Sequence, residues 1–219
     1  MFPVRNFQYM LNEIGLKYQT DKSTITHCYL DTYEKYFYLW KDKEFTMIEI
    51  GVAAGNSIKM WREYFNNGKI YGIDNDPNCA GTGVFIGNQN DNGFLDTVLA
   101  ETGTPDIIID DGSHYAPYTI STFRHLFRKV KSGGLYVIED THCFYDPTYG
   151  LAPPYGSGMS EVFKFFSSLT SHVDVHGRGM CGNAEFAINH PTVMPPVPEF
   201  SRVLASMYIH PSLWFFKRK

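Results

Sequence analysis

The chain has 219 residues, a formal net charge of −4 and a charged fraction of 19%. This length suits one α/β domain with some additional segments and allows a sizeable core. The negative balance argues against a general nucleic-acid binder, which would normally carry a basic face. No apolar run reaches the ~18 residues of a membrane span, and the first residues show no signal-peptide pattern. We therefore predict a cytoplasmic protein that has no nucleic-acid partner and no membrane span.

The four cysteines form no CxxC pair and no dense framework, which favours reduced thiols of an intracellular protein. Aromatic residues are abundant: they make up 16% of the chain and include 17 Phe and 15 Tyr. This abundance indicates a lined pocket or the surface of a homo-oligomer, and an aromatic-rich core is the alternative.

Residues 1–44 precede the first predicted strand and contain short helical patterns on either side of a polar turn at 20–23. The apolar residues with helical spacing form two faces: Phe7, Met10, Leu11, Ile14 and Leu16 on one, and Tyr29, Tyr33, Tyr36, Phe37 and Trp40 on the other. A segment in this position is better placed to cover a site than to join a sheet. We therefore interpret residues 1–44 as a helical cap or lid.

Five apolar runs predict the main strands, and helical patterns alternate with them. These runs begin at residues 45, 69, 84, 106 and 135. Such a succession predicts an α/β protein of Rossmann-like type, with a doubly wound and mostly parallel sheet. Two later segments, 173–176 and 185–188, are predicted as further strands and bring the total to seven.

The remaining segments complete a single predicted domain, 1–219. Residues 141–158 contain three prolines and three glycines, a composition and length typical of a substrate-binding loop. The sheet core is predicted within 45–190. The C-terminal tail, 191–219, is predicted to be weakly helical from residue 201.

Paired carboxylates end two neighbouring predicted strands. Asp110 and Asp111 end the fourth strand, and Glu139 and Asp140 end the fifth. Because the carboxyl ends of parallel strands meet at one edge, these acids and His114 are expected in one crevice. Like charges so close raise one another's pKa unless a cation compensates them, and a divalent metal is the simplest such cation. Helix capping is the alternative, but two acids and a histidine exceed what a cap needs.

A glycine turn follows the first strand and indicates a nucleoside-bearing ligand. The turn at 51–57 would let a ligand approach the backbone closely, and Asp74 ends the second strand, where an acid typically holds a ribose. The sequence GVAAG lacks the GxGxxG spacing of nicotinamide folds. It therefore favours S-adenosylmethionine, with Glu49 and Asp74 suited to its amino group and ribose.

The order of the motifs resembles that of a known family. The motifs are TDKS, IEIGVAAGNS, YGIDNDP, DIIIDDGSHY and GGLYVIEDTH. In this order the chain is similar to the metal-dependent sugar O-methyltransferases of antibiotic biosynthesis, the macrocin and mycinamicin O-methyltransferase-like enzymes. The likeness covers roughly residues 15–165 and implies the class I methyltransferase fold.

The resemblance also implies a role for each matching residue. It assigns Mg²⁺ binding to Asp111, Glu139 and Asp140, and it makes His114 the general base. The residues implied at the S-adenosyl-L-methionine site are Thr20, Asp21, Lys22, Glu49, Gly51, Ser57, Asp74, Gln89 and Asp110.

The expected activity is transfer of a methyl group from S-adenosyl-L-methionine to a sugar hydroxyl of a glycan or a glycosylated small molecule. A catechol or another non-sugar diol is the alternative acceptor, since it would need similar metal-binding acids. A catalytically silent scaffold subunit that binds the cofactor is a second alternative. An NAD-dependent oxidoreductase is the third.

Overall fold

The computed structural model describes residues 10–144, 164–170, 173 and 200–219. The helices with defined bounds are α1 (Met10–Tyr18), α2 (Leu30–Phe37), α3 (Asn56–Tyr64), α4 (Asn92–Thr102) and α5 (Ala116–Leu126). The strands are β1 (Phe45–Ile50), β2 (Gly68–Asp74), β3 (Val84–Ile86), β4 (Ile107–Asp110), β5 (Leu135–Ile138), β6 (Leu204–His210) and β7 (Leu213–Arg218). In the described part of the chain, no helix combines the length and apolar character needed to cross a membrane.

Within the described residues, the strands form one seven-stranded sheet in the order β3-β2-β1-β4-β5-β7-β6. Strands β1 to β5 are parallel to one another, whereas β7 is antiparallel to both β5 and β6. The predicted doubly wound, mostly parallel sheet of seven strands is confirmed. The strand order reverses between β1 and β4, because β2 and β3 lie on one side of β1 and β4 and β5 lie on the other. A crevice opens at such a topological switch point.

The positions of the last two strands differ from the prediction. The chain from residue 201 is not weakly helical, because β6 and β7 extend the sheet to Arg218. In β7, Trp214 pairs with Ile138, and Phe215 pairs with Val137. Burial against the sheet, rather than local periodicity, decides the conformation of this aromatic run.

Two other predictions extend beyond the described residues. Of the predicted strand 173–176, only residue 173 is described, and it is helical. The predicted strand 185–188 lies outside the described residues. Of the predicted loop 141–158, the first residues form a short 3₁₀ helix, Thr141–Phe144, and the others lie outside the described part.

Helices pack on both faces of the sheet and produce two apolar clusters. Successive residues of β4 alternate between them: Ile108 belongs to the cluster that includes α5, and Ile107 and Ile109 belong to the cluster that includes α2 and α3. This alternation is the pleat of a strand buried on both faces. The predicted cap is therefore part of the core, since its helices α1 and α2 contribute buried side chains to the second cluster.

Aromatic side chains fill much of the second cluster. The ring of Tyr33 lies 5.3 Å from Trp61 and 5.5 Å from Phe215, measured between ring centroids. Phe37 lies 5.6 Å from Trp61 on the same measure. The aromatic-rich core, which was one of the predicted explanations for the composition, thus accounts for many of these residues.

Gly51 brings the end of β1 against the end of β4. Its φ is +92°, and a Cβ placed there would lie 1.9 Å from the carbonyl oxygen of Asp111. Gly55 also has a positive φ, of +72°, but a Cβ there would meet nothing within 4 Å. Only glycine therefore allows the backbones of β1 and the segment after β4 to approach so closely.

We predict that Gly51→Ala lowers the free energy of unfolding by about 2–4 kcal/mol, because strained backbone and a steric collision add. Gly55→Ala is the matched control and should lower it by about 1 kcal/mol, through backbone conformation alone. Urea unfolding followed by circular dichroism measures both. Equal losses in the two variants would contradict the contact with Asp111.

Candidate active site

The carboxyl ends of β1, β4 and β5 lie in register, which places the predicted acids close together. Ile50 pairs with Asp110, and Asp110 pairs with Ile138. Asp111 and Glu139 are the next residues after β4 and β5, so they become neighbours. The aligned strand ends explain why acids separated along the chain share one crevice.

A lysine from the turn between α1 and α2 binds three of the carboxylates. The Lys22 Nζ contacts Asp111 Oδ2 and lies 2.9 Å from Glu139 Oε1 and 3.5 Å from Glu49 Oε1. Lys22 is 1% exposed, Glu49 0% and Glu139 3%. A charge buried so completely requires such partners, since desolvation without compensation is very unfavourable.

The Glu49 carboxylate accepts two further hydrogen bonds. The Ser57 hydroxyl donates a hydrogen bond of 2.8 Å to its Oε2, and the Trp61 indole N–H donates one of 3.3 Å to its Oε1. Both donors lie on α3. Glu49 thus joins the strand, the helix and the Lys22 turn.

Two tyrosines next to or within α2 donate hydrogen bonds to the acids that follow β5. The Tyr33 hydroxyl donates to Glu139 Oε1 at 2.6 Å, and the Tyr29 hydroxyl donates to Asp140 Oδ1 at 2.5 Å. Burial, together with the nearby carboxylate in each case, raises the pKa of both tyrosines. They therefore remain neutral donors that orient the two carboxylates.

His114 faces Asp140 at the outer side of the site. Its Nε2 lies 3.8 Å from Asp140 Oδ2, and its side chain is 28% exposed. Both residues have a φ of +51°, a conformation uncommon for residues other than glycine and enriched for Asp and His. Strained backbone of this kind clusters at functional sites.

Among the residues that the structure describes, two groups of side chains could hold a metal ion, each with three ligand atoms within 4.8 Å of one another. We call Glu49, Asp111 and Glu139 the inner cluster, and Asp111, His114 and Asp140 the outer cluster. Asp111 belongs to both. The predicted ligands Glu139 and Asp140 are therefore both neighbours of Asp111, although they lie in different clusters.

The local charge balance is negative. Burial by itself would lower the pKa of Lys22, but the surrounding Asp111, Glu139 and Glu49 raise it well above the usual range. Burial raises the pKa values of Asp111 and Glu139, and neighbouring carboxylates raise both further, while Lys22 offsets part of the rise. One ammonium group does not balance the acids around it.

A cleft adjoins the outer cluster at the switch point of the sheet. Its part nearest the acids is lined by residues of the Lys22 turn, the glycine turn and the strand ends, and a second part extends past Asp74 to Gln89 and Tyr118. The Asp74 Oδ2 accepts hydrogen bonds from the backbone N–H groups of Val52 and Ala53, at 2.8 and 3.0 Å. The second strand thereby fixes the glycine turn.

Most of the predicted cofactor residues line this cleft. They are Thr20, Asp21, Lys22, Gly51, Ser57, Asp74 and Gln89. Glu49 and Asp110 are instead buried beneath it. Asp110 accepts hydrogen bonds from Gln89 Nε2 at 3.1 Å and from the Tyr136 hydroxyl at 3.0 Å, and burial raises its pKa to about 6. Asp110 thus positions Gln89, whose Oε1 accepts the Ser113 N–H at 2.7 Å.

Tyr29 and Tyr33 belong to the site although the sequence pattern did not indicate it. Their helical spacing indicated an apolar face, and nothing in that pattern distinguishes a core tyrosine from one whose hydroxyl reaches a carboxylate. Gly112 and Ser113 also line the cleft and were not predicted. Their position between Asp111 and His114 in the sequence could have indicated that they lie close to the site.

Comparison with known proteins gives both sequence and structural relatives. The 8-demethyl-8-(2-methoxy-alpha-L-rhamnosyl)-tetracenomycin-C 3'-O-methyltransferase of Streptomyces olivaceus is 37% identical over 151 residues, which are 64% of this chain and 39% of that protein. The mycinamicin VI 2''-O-methyltransferase of Micromonospora griseorubida is 36% identical over 64% of this chain and 38% of its own length. The MycE methyltransferase of the mycinamycin biosynthetic pathway, solved in complex with Mg and SAH, matches with a TM-score of 0.74 and 28% identity.

The chain is a homologue of sugar O-methyltransferases. It has the class I methyltransferase fold of MycE, which confirms both the predicted resemblance and the predicted fold. The structural match covers 95% of this chain and 54% of MycE, so the chain spans about half the length of that relative and less of the two sequence relatives. No family model matches the chain.

We predict that Tyr33→Phe lowers the free energy of unfolding by about 1.5–3 kcal/mol, because a buried hydrogen bond to a charged group is lost. Tyr36→Phe, on the same helix, is the control: its hydroxyl lies 2.8 Å from His210 Nε2 in a half-buried position, and the loss should be about 1 kcal/mol or less. Urea unfolding near neutral pH measures both variants. A Tyr33→Phe protein as stable as the unsubstituted chain would remove the tyrosine from the support of Glu139.

Proposed function

We propose that this protein is an O-methyltransferase that depends on S-adenosyl-L-methionine and Mg²⁺ and acts on a sugar hydroxyl of a glycan or a glycosylated small molecule. The observation that carries the proposal is the meeting of Asp111, His114 and Asp140 within 4.8 Å, beside a cleft at the switch point of the sheet. The tetracenomycin and mycinamicin enzymes, whose names describe methylation of sugar-bearing compounds, support the acceptor class.

The donor set fits a hard divalent cation. Three carboxylates surround the Lys22 ammonium group, and a fourth, that of Asp140, lies next to Asp111. Burial and neighbouring carboxylates raise the pKa values of Asp111 and Glu139. Mg²⁺ prefers carboxylate oxygens, so Asp111 and Asp140 would hold it, with Glu139 as the third ligand. The ion would lower the pKa of an acceptor hydroxyl and fix its position. MycE, the structural relative, was solved with Mg.

The cleft fits a nucleoside cofactor. Gly51 and Gly112 let the segments that line the cleft approach one another closely, because a Cβ would lie 1.9 Å from Asp111 O and 2.3 Å from Gln89 Oε1. Asp74 ends β2 at the position where an acid meets a ribose. The complex of MycE with SAH supports S-adenosyl-L-methionine over a nicotinamide cofactor.

In methyl transfer to an alcohol, the acceptor oxygen attacks the methyl group, the methyl–sulfur bond breaks, S-adenosylhomocysteine leaves, and the hydroxyl proton must be removed. His114 is the proposed general base, because its partly exposed imidazole faces the outer cluster and histidine is the side chain that most often takes this role. Its Nε2 lies 3.8 Å from Asp140 Oδ2, so the carboxylate would stabilise the imidazolium that forms. Since Mg²⁺ favours oxygen ligands, the imidazole stays available for the proton.

We expect His114→Ala to lower turnover by ~10²–10⁴-fold, the contribution typical of a general base, while SAH affinity stays nearly unchanged. Methyl transfer to a glycoside and calorimetry with SAH measure the two quantities. His125→Ala is the control. The His125 Nε2 lies 2.9 Å from Asp96 Oδ1 on α4, and neither residue belongs to the acidic clusters of the site. A His114→Ala enzyme with full activity would exclude the proposed base.

Chelation and an acceptor panel test the proposed reaction as a whole. EDTA should silence methyl transfer and Mg²⁺ should restore it; activity that persists in EDTA would exclude the metal role. Glycosides with vicinal hydroxyls should accept the methyl group, whereas transfer to catechols alone would identify a non-sugar diol enzyme. Tight binding of SAH without transfer to any diol would favour the scaffold alternative, and calorimetric binding of NAD instead of SAH would favour an oxidoreductase.

A further inference from the structure

The two acidic clusters offer a divalent ion two places. In the inner cluster and in the outer cluster alike, the three ligand atoms all lie within 4.8 Å of one another. The inner cluster is made wholly of carboxylates, the ligands that Mg²⁺ and Mn²⁺ favour. Ligand chemistry alone would therefore place an ion in the inner cluster.

Lys22 already supplies a cation to the inner cluster. Its Nζ contacts Asp111 and lies 2.9 Å from Glu139 and 3.5 Å from Glu49, which are all three members. An ammonium group is a compact charge with three donors, which matches three carboxylates. In the outer cluster, by contrast, Asp140 faces two imidazoles, those of His114 at 3.8 Å and His142 at 3.9 Å. His114 and Asp140 both line the cleft.

The backbone around Lys22 holds the ammonium group in place. The Lys22 carbonyl accepts the N–H of Tyr29 at 2.8 Å, and the neighbouring Asp21 carbonyl accepts the N–H of His27 at 2.9 Å. The Ser23 hydroxyl donates to the Thr20 carbonyl at 2.7 Å. Tyr29 in turn donates to Asp140, so the same turn contacts both clusters.

We propose that Lys22 is a positioning residue that serves as the built-in cation of the inner cluster and thereby confines the divalent ion to the outer cluster, next to His114. This inference rests on the proposed function for the presence of the ion. Glu139 can then offer the ion its Oε2, since its Oε1 is shared by Lys22 and Tyr33. The ion would lie beside the base and the cleft instead of behind them.

Counting bound Mn²⁺ tests this role without any turnover. We expect one Mn²⁺ per chain in the unsubstituted protein by electron paramagnetic resonance. Lys22→Met should bind two, because the vacated inner cluster attracts a second ion. Lys22→Arg, which keeps the charge, should bind one. Lys17→Met is the matched control, since Lys17 pairs with Glu63 on the surface, and it should also bind one.

Thermal unfolding gives a second readout. Mn²⁺ should raise the Tm of Lys22→Met by more than that of the unsubstituted chain, and a Lys22→Met chain that folds only in the presence of Mn²⁺ supports the proposal as well. A folded Lys22→Met protein that binds one ion with unchanged affinity, or none, overturns it. An unsubstituted protein that binds no Mn²⁺ overturns the metal role under the proposed function, and this inference with it.

A pair of variants that keep Lys22 gives the same answer if Lys22→Met cannot fold at all. Glu49 belongs to the inner cluster alone and Asp140 to the outer cluster alone. Glu49→Gln should leave Mn²⁺ affinity within about twofold, whereas Asp140→Asn should lower it by about tenfold or more, as loss of ligand-shell groups does. The reverse order would place the ion in the inner cluster and overturn the proposal.

Discussion

The ion pairs of one buried lysine with three carboxylates are the constraint on which the rest of this site depends. Glu49, Asp111 and Glu139 come from the ends of three different strands, and Lys22 Nζ contacts each of them. Such an arrangement is tolerated in a low-dielectric interior only when its geometry and hydrogen bonding are nearly complete. Ser57, Trp61 and Tyr33 provide this completion from the adjacent helices, so the core and the site share the same side chains.

The segment that we predicted as a cap also supports the acids of the site. Lys22, Tyr29 and Tyr33 each bind an acid at the strand ends, while the aromatic face of α2 packs on Trp61 and Phe215. Residues that hydrogen-bond the side chains of a metal site from outside hold those side chains in a fixed orientation. If this segment moved away from the sheet as one body, these ion pairs and hydrogen bonds would all have to break together. The contacts therefore hold the turn with Lys22 in place beside the cleft.

The sequence predicted the features that depend on local pattern. Buried apolar runs identified β1 to β5, and the acids at the ends of β4 and β5 pointed to one crevice, since parallel strands end at a common edge. The sequence did not reveal that Trp214–Phe216 belongs to a strand, because its pairing with β5 depends on residues nearly eighty positions earlier. Nor did it reveal that Lys22 enters the acidic cluster or that Asp110 lies under the cleft, since both depend on packing in three dimensions.

The antiparallel strand β7 links the end of the chain to the acids. It lies between β5 and β6 in the sheet, and the N–H of Thr141, next to Asp140, donates to the carbonyl of Ser212 just before β7. Contacts of such long sequence separation are slow to form. The backbone next to Asp140 therefore depends on a strand about seventy residues further along the chain, and we expect the segment after β5 to become fixed only when residues 213–218 pair with β5.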